Sequence, residues 1–181
     1  MLIGFIGLPG AGKGTAAAYL VEKYGASAKR FSTPLRDILS RLYQPITREN
    51  MQALGTIVRA SYGNDVLAET LLQDLQRDPA PLSVMEGFRY EEEFRIIRSH
   101  PGSVFVAIEA PFEVRLQRIQ HRGENEGDQQ VTAESFAKQH EHETERGIPA
   151  LMAKCDHRVE NTGSVEKLHT QLDALMKKLQ P

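Results

Sequence analysis

Short apolar runs alternate along this chain with longer segments in which apolar residues recur every three or four positions. The clearest runs lie at residues 2–6, 82–85 and 104–108, and weaker strand candidates lie at 28–32 and 157–160. Short, mostly apolar runs are typical of parallel strands that are buried on both faces. Five strands separated by helices therefore predict an α/β fold with a doubly wound, five-stranded parallel sheet, in which the first strand is central.

The helical segments carry recognisable start and stop signals. Gly25 follows the first helix, residues 14–24, as a C-terminal cap, and Ser164 is the expected N-cap of the last helix. Thr33 is expected to cap a helix that has Pro34 at its first position. Further helices are predicted at residues 47–77 with a break at 62–64, at 90–100, from 111 onward, and at 132–144.

Composition narrows the functional classes. The chain has 181 residues, most simply one domain, and its 22 basic and 24 acidic side chains give a net charge of −2. This balance provides no general attraction to nucleic acid or to an anionic membrane. The lone Cys155 excludes an intramolecular disulfide, and no apolar run approaches the length of a membrane span. We therefore expect a cytoplasmic protein, a monomer or small homo-oligomer, without nucleic-acid or membrane partners.

The sequence GLPGAGKGT at residues 7–15 follows the first strand and opens the first helix. This context favours a phosphate-binding loop over a glycine-rich turn with an incidental lysine, because both the spacing and the flanking elements match. Glycines allow successive backbone N–H groups to point into one concavity, and the helix adds its positive end. Lys13 is expected to reach the β- and γ-phosphates of ATP, and the Thr15 hydroxyl to lie near Mg²⁺. The predicted ATP-binding residues of the loop are Gly7, Pro9, Gly10, Ala11, Gly12, Lys13, Gly14 and Thr15.

Glu86 ends the strand predicted at 82–85 and is followed by Gly87, Phe88 and Arg89. Folds of this class place the carboxylate that holds the metal's water shell at such a strand end, beside the phosphate loop. The alternative is an ordinary strand-to-helix turn. We predict that Glu86 contacts Mg²⁺ through water.

Arg115, Arg118 and Arg122 are spaced i, i+3 and i+7 on the helix that begins near Pro111, and they form a stripe beside its apolar face. This stripe is either a solvated face or a set of cations that face a cleft. The phosphate loop favours the cleft, because the charge of a transferred phosphoryl group must be neutralised. The polar segment GENEGDQQ that follows predicts a short lid at about residues 118–131.

Other polar clusters predict no metal site. His140 and His142 would point about 200° apart on a helix, so they cannot share an ion and are expected to be surface residues. Cys155 and His157 lack further ligands at zinc spacing. The glutamates at positions 91–93 lie in the first turn of a helix, where negative charge is favourable, and are interpreted as capping residues.

With Pro9 and its GKGT ending, the loop resembles that of adenylate kinases and other nucleoside monophosphate kinases. The segment at 86–89 resembles the DGFPR-type segment of adenylate kinases, with Glu replacing Asp and without the proline. Ser32, Thr33 and Arg36 resemble the acceptor-phosphate segment of these kinases, although the usual Gly-Asp is replaced, and Arg59 resembles a phosphate-contacting arginine of archaeal and viral members. The segment VENTGSVEKL resembles the turn before the last helix of dephospho-CoA kinases and adenylate kinase-like proteins, which implies that backbone groups at Asn161 and Gly163 contact adenine.

The resemblance implies transfer of the γ-phosphoryl group of ATP to a small nucleotide acceptor, a nucleoside or deoxynucleoside monophosphate. It implies a helical acceptor-binding insertion at about residues 33–78 and two sets of residues. The expected catalytic residues are Lys13, Arg89, Arg118 and Arg122, and the expected acceptor-binding residues are Thr33, Arg36, Arg59, Gly87 and Arg89.

Two alternatives stay open. A dephospho-CoA-type kinase would phosphorylate a hydroxyl group and would require a carboxylate base, for which Asp37 is the available candidate. A nucleotide-dependent regulator or accessory ATPase would use the same loop to switch a partner surface.

Overall fold

A parallel sheet of five strands forms the centre of the computed structural model, which describes residues 1–77, 79–122, 127–141 and 143–179. The strands are β1 (Leu2–Ile6), β2 (Ser27–Arg30), β3 (Ser83–Glu86), β4 (Ser103–Glu109) and β5 (His157–Glu160). Their order across the sheet is β2-β3-β1-β4-β5, and every neighbouring pair is parallel. The predicted doubly wound fold with a central first strand is confirmed.

Helices cover both faces of this sheet. They are α1 (Lys13–Tyr24), α2 (Thr33–Arg41), α3 (Arg48–Tyr62), α4 (Val66–Arg77), α5 (Glu91–Ser99), α6 (Phe112–Arg122), α7 (Ala133–His140), α8 (Glu143–Arg146), α9 (Ile148–Met152) and α10 (Val165–Leu179), with a short 3-10 turn at Asp128–Gln130. Within the described ranges, no helix combines the length and apolar character that crossing a membrane requires.

Two apolar clusters pack the helices against the sheet. On one face, Leu20 of α1 and Leu172 of α10 are fully buried with side chains of the inner strands. On the other face, Phe105 of β4 contacts the rings of Phe88 and Phe94, beside residues of α4 and α9. Burial of both sheet faces explains why the strand sequences are apolar without alternation.

Several predicted caps are present. Gly25 has φ 66° and its N–H bonds to carbonyls of the last turn of α1. The Glu93 side chain accepts the backbone N–H groups of Arg89 and Tyr90, at 2.8 and 3.3 Å, which confirms the capping interpretation for this glutamate. Ser164 Oγ accepts the N–H of Lys167 at the start of α10.

Several helix boundaries differ from the prediction, and two of these differences concern a predicted cap and a predicted continuous helix. Thr33 is not the N-cap of α2; that position belongs to Ser32, so the helix begins one residue early. The helix predicted at 132–144 ends at His140, and a separate short helix, α8, follows. The predicted insertion ends at residue 78, the predicted lid contains residues 123–126, and His142 was expected at the surface; these positions lie outside the described residues.

The lone cysteine offers a probe of this packing. Burial, with a smaller effect of Asp156, raises the pKa of the Cys155 thiol to about 12. Because the thiolate is the reactive form, we predict that iodoacetamide at pH 8 alkylates the folded protein at least about a hundredfold more slowly than a cysteine peptide. Mass spectrometry would follow the reaction, with the guanidinium-unfolded protein as control. Equal rates in the folded and unfolded states would contradict the partly buried placement of Cys155.

Candidate active site

The phosphate loop joins β1 to α1 and turns at glycines with left-handed backbone angles. Gly12 has φ 101°, and a Cβ atom at this position would collide with the Asn161 side-chain amide. Only glycine satisfies both conditions, because L side chains rarely adopt this φ. The turn and the start of α1 together form the expected cradle for an anion.

Asn161, at the end of β5, braces the outer side of this loop. Its Nδ2 donates to the Ala11 carbonyl at 2.8 Å, and its Oδ1 accepts from Arg118 Nη2 at 3.2 Å. The residue is buried. The buried side-chain amide therefore has protein partners at both ends, and the adenine contact that the resemblance implies for backbone groups of this turn stays a prediction.

Arg115 forms a second brace beneath the loop. Its Nη1 donates to the Pro9 carbonyl at 3.3 Å and its Nε donates to Ala110 at 3.1 Å, and burial lowers the pKa of the guanidinium. His140 Nε2 lies 2.6 Å from the same Nη1 and therefore accepts, while its Nδ1 donates to the Phe136 carbonyl. His140 is thus half-buried against the loop brace, and its expected surface position is wrong. Arg115 is turned beneath the loop, so it does not belong with Arg118 and Arg122 in the cleft.

Lys13 lies inside the loop rather than in solvent. Its Nζ donates to the carbonyls of Gly7 at 2.7 Å and Leu8 at 3.2 Å. Burial lowers its pKa to about 8; nearby Arg89 contributes to the decrease, whereas Glu86 and Glu145 oppose it. The ammonium group is therefore poorly solvated before a phosphate arrives, and an anion would replace weak carbonyl contacts with charged ones.

A cavity of about 960 Å³ opens beside the loop and extends to α2 and α3. Most of the predicted site residues line it: Pro9, Gly10, Gly12, Lys13, Gly14, Thr15, Arg36, Arg59, Glu86, Gly87, Arg89, Arg118 and Arg122. Gly7, Ala11, Thr33, Asn161 and Gly163 do not. Thr33 and Gly163 are exposed, and Ser32 lines the cavity in place of Thr33.

Arg59 of α3 lies on the α2–α3 side of this cavity and is largely buried. Its Nη2 forms an ion pair of 2.7 Å with Glu93, and its guanidinium lies 4.4 Å from the centre of the Tyr90 ring. Its Nε has no hydrogen-bond partner among the described residues. The side chain is thus held rigidly while part of its donor capacity stays unused.

The chemistry of the residues beside the loop fits Mg²⁺. Thr15 and Glu86 offer a hydroxyl and a carboxylate, and Glu86 Oε1 lies 3.0 Å from Arg30 Nε and close to Gly14. Across the described ranges no three His, Cys, Asp or Glu side chains gather at one point. Mg²⁺ commonly takes only one or two protein ligands and completes its shell with water and phosphate oxygens, so a sparse oxygen set suits it.

Five polar residues line the cavity but were not predicted as site residues: Arg30, Arg48, Gln52, His121 and Glu145. Arg48 and Gln52 could have been found, because with Gly55 and Arg59 they are spaced i, i+4, i+7 and i+11 on one face of α3. Glu145 follows the predicted lid in sequence, and no sequence pattern around it indicates a site residue. Its burial depends on where α8 packs.

Comparison with known proteins agrees with this geometry. Residues 3–146 match the family model described as an AAA domain. A UPF0200 protein of Methanoregula boonei is 30% identical over 176 residues, which cover 97% of this chain and 95% of the relative. This chain is an AAA-domain protein of the UPF0200 family. A UPF0200 protein of Methanoculleus marisnigri is 27% identical over 179 residues, covering 98% of this chain and 96% of the relative.

A crystal structure of shikimate kinase from Bacteroides thetaiotaomicron aligns with a TM-score of 0.67 at 12% identity, covering 100% of this chain and 99% of that chain. At this identity the likeness establishes the fold alone. The UPF0200 chain therefore has the α/β P-loop NTPase fold that is found in P-loop kinases, as its loop sequence predicted.

The Asn161 brace can be separated from an adenine contact. Asn161→Ala removes the donor to the buried Ala11 carbonyl, so we predict a loss of about 1–3 kcal/mol in the free energy of unfolding. ATP and GTP affinities should fall by the same factor, because the loop itself is loosened. Denaturant unfolding and calorimetric titration measure both effects, and Asn64→Ala at an exposed position is the control. Unchanged stability with a selective loss of ATP affinity would support the adenine contact instead.

Proposed function

We propose that this protein is an ATP-dependent phosphotransferase that moves the γ-phosphoryl group of ATP to a nucleoside or deoxynucleoside monophosphate. The observation that carries the proposal is the continuous cavity between the phosphate loop and the arginines of the α2–α3 side. A nucleotide on the loop and a second anion on this side would face each other across one space. Such alignment supplies much of the catalysis in phosphoryl transfer.

The charges of the acceptor side favour a phosphate acceptor over a hydroxyl acceptor. Arg36, Arg48 and Arg59 line this side. Asp37, the candidate base for a hydroxyl acceptor, is exposed and does not line the cavity. A monophosphate is already ionised and needs no strong base, so the arrangement suits it. In the proposed kinase, α2–α4 would form the acceptor-binding insertion, and Gly87 and Arg89 would lie beside the acceptor phosphate.

The roles that we propose for the cationic residues follow from their positions in the cavity. Lys13 would follow the transferred group, Arg89 would hold the acceptor phosphate near it, and Arg118 and Arg122 would approach from α6 as the lid closes. Thr15 and Glu86 would hold Mg²⁺, which neutralises phosphate charge when it is bound. We place this activity in the cytoplasm, in a monomer or small homo-oligomer that needs no nucleic acid or membrane.

An acceptor panel tests the proposal. ADP release would be measured with ribo- and deoxyribonucleoside monophosphates, dephospho-CoA, shikimate and water. We predict that at least one monophosphate stimulates ADP release and yields its diphosphate. Lys13→Ala, with its fold verified by circular dichroism, should lower this rate more than about a hundredfold, because a charge-assisted contact in the transition state is lost. If no monophosphate is phosphorylated by the wild type, the proposed function is wrong. ADP release that needs no added acceptor would then indicate the ATPase alternative.

Two adjacent residues separate phosphate from hydroxyl acceptors. Arg36→Ala should raise the KM for the monophosphate by about tenfold or more and leave the KM for ATP unchanged, since one charged contact to the acceptor is removed. Asp37→Ala is the matched control and should change neither constant, because Asp37 is exposed outside the cavity. Initial-rate kinetics of both variants give the comparison. A large loss of kcat in Asp37→Ala alone would instead identify a catalytic base.

A further inference from the structure

Glu145 of α8 is a buried carboxylate in the wall of the proposed active site. It has no role in the reaction proposed above. It is 7% exposed and lines the cavity. Its Oε1 forms an ion pair of 3.3 Å with Arg89 Nη2, whereas its Oε2 is buried without a hydrogen bond from any described residue. A buried carboxylate that is only half satisfied is costly, and such groups in native proteins call for a specific explanation.

Arg89 is held on three sides, and Glu145 is the contact that orients its charged end. The Arg89 backbone N–H donates to Glu93, and its Nη1 donates to the Phe88 carbonyl at 3.2 Å. Both of these contacts come from the β3–α5 segment itself. Glu145 approaches from the opposite side, after the lid region, and fixes Nη2. The remaining N–H groups of the guanidinium fork are left for an anion.

The backbone of the α8–α9 junction supports the same contact. Gly147 lies so close to Arg89 that a Cβ at this position would stand 3.1 Å from the Arg89 carbonyl oxygen. Gly147 has φ −75°, an angle that any residue adopts, so the close approach and not backbone strain favours glycine here. Glu145 and Gly147 thus fit α8 directly onto Arg89.

We propose that Glu145 is a positioning residue of the phosphoryl-transfer site, which holds the Arg89 guanidinium in the orientation that meets the phosphates. The proposal rests on the proposed function for the reaction, but its structural part concerns Arg89 alone. Glu145 also lies within the electrostatic field of Lys13, as does Arg89. The carboxylate therefore offsets the repulsion between these two cations, of which it contacts Arg89.

Glu145→Gln tests this role, because it keeps the size of the side chain and removes its charge. Glu134→Gln is the control for the same change at an exposed helix position. Removing a negative charge from the cavity should leave ATP binding unchanged or make it tighter. Single-turnover transfer should nevertheless become about tenfold slower, because Arg89 is no longer held in place. If Glu145 had only a structural role, its substitution would weaken ATP binding as well as slow the transfer.

A double variant shows whether Glu145 acts through Arg89. In an Arg89→Ala background, adding Glu145→Gln should change the transfer rate by less than about twofold, since residues that act as one unit are non-additive. Gly147→Ala is a second probe that keeps both side chains and should slow transfer without weakening ATP binding. Equal slowing by Glu145→Gln in the presence and absence of Arg89 would overturn the proposal.

A measurement without turnover keeps this proposal separate from the proposed function. In ¹⁵N-arginine protein, the Arg89 Nε–H signal is identified by its loss in Arg89→Lys. Glu145→Gln should shift and broaden this signal, and Glu134→Gln should leave it unchanged. An unaffected Arg89 signal overturns the role of Glu145. If the wild type phosphorylates no monophosphate but the signal responds, the proposed function fails while Glu145 still positions Arg89.

Discussion

A loop that points its backbone N–H groups at phosphate must turn its carbonyl groups toward the protein, where each needs a donor. In this chain the carbonyls of Pro9 and Ala11 receive donors from Arg115 and Asn161, and those of Gly7 and Leu8 receive the Lys13 ammonium. The donors come from α6, the end of β5 and the loop itself. The phosphate cradle is therefore a product of the tertiary fold, even though its sequence is local.

This constraint ties helix α6 to the loop. Arg115 and Arg118 lie on successive turns of α6, and Arg118 reaches Asn161 and the Ala11 carbonyl. The backbones also touch, since a Cβ on Gly10 would stand 2.5 Å from the Arg115 carbonyl oxygen. The first turn of α6 is thus fixed against the cradle. Arg122, at the far end of the same helix, pairs with Asp128 instead of with the cradle.

The sequence predicted correctly those features that depend on a single segment of the chain. The strand and helix order, the sheet type and the loop at 7–15 follow from hydrophobic periodicity and glycine spacing, and the structure agrees. Sequence patterns did not predict the positions of residues that depend on how distant elements pack together.

His140 was expected in solvent and Arg115 in the cleft, because helical spacing gives the direction of a side chain but not its neighbours. Asp37 was a candidate base only because it follows Arg36; the turn of α2 places it outside the cavity. Glu145 enters the site through the packing of α8, which no local pattern indicates.

Five of the seven arginines that line the cavity share one arrangement, which offsets the repulsion among these cations. Each of the five is paired with a carboxylate: Arg30 with Glu86, Arg59 with Glu93, Arg89 with Glu145, and both Arg48 and Arg122 with Asp128. Glu86, Glu93, Glu145 and Asp128 are buried, so these pairs are screened less by solvent than surface pairs.

A guanidinium that is bound on one side by such a carboxylate keeps its other donors in a fixed direction, because the group is planar and rigid. The carboxylates therefore act as a layer that both offsets repulsion among the cations and orients them. Asp128 extends this layer across the cavity, because Arg48 belongs to the start of α3 and Arg122 to the end of α6. Helices α3 and α6 are thus linked through one buried carboxylate. An anion that draws Arg122 toward the phosphate loop must act against the same aspartate that holds Arg48.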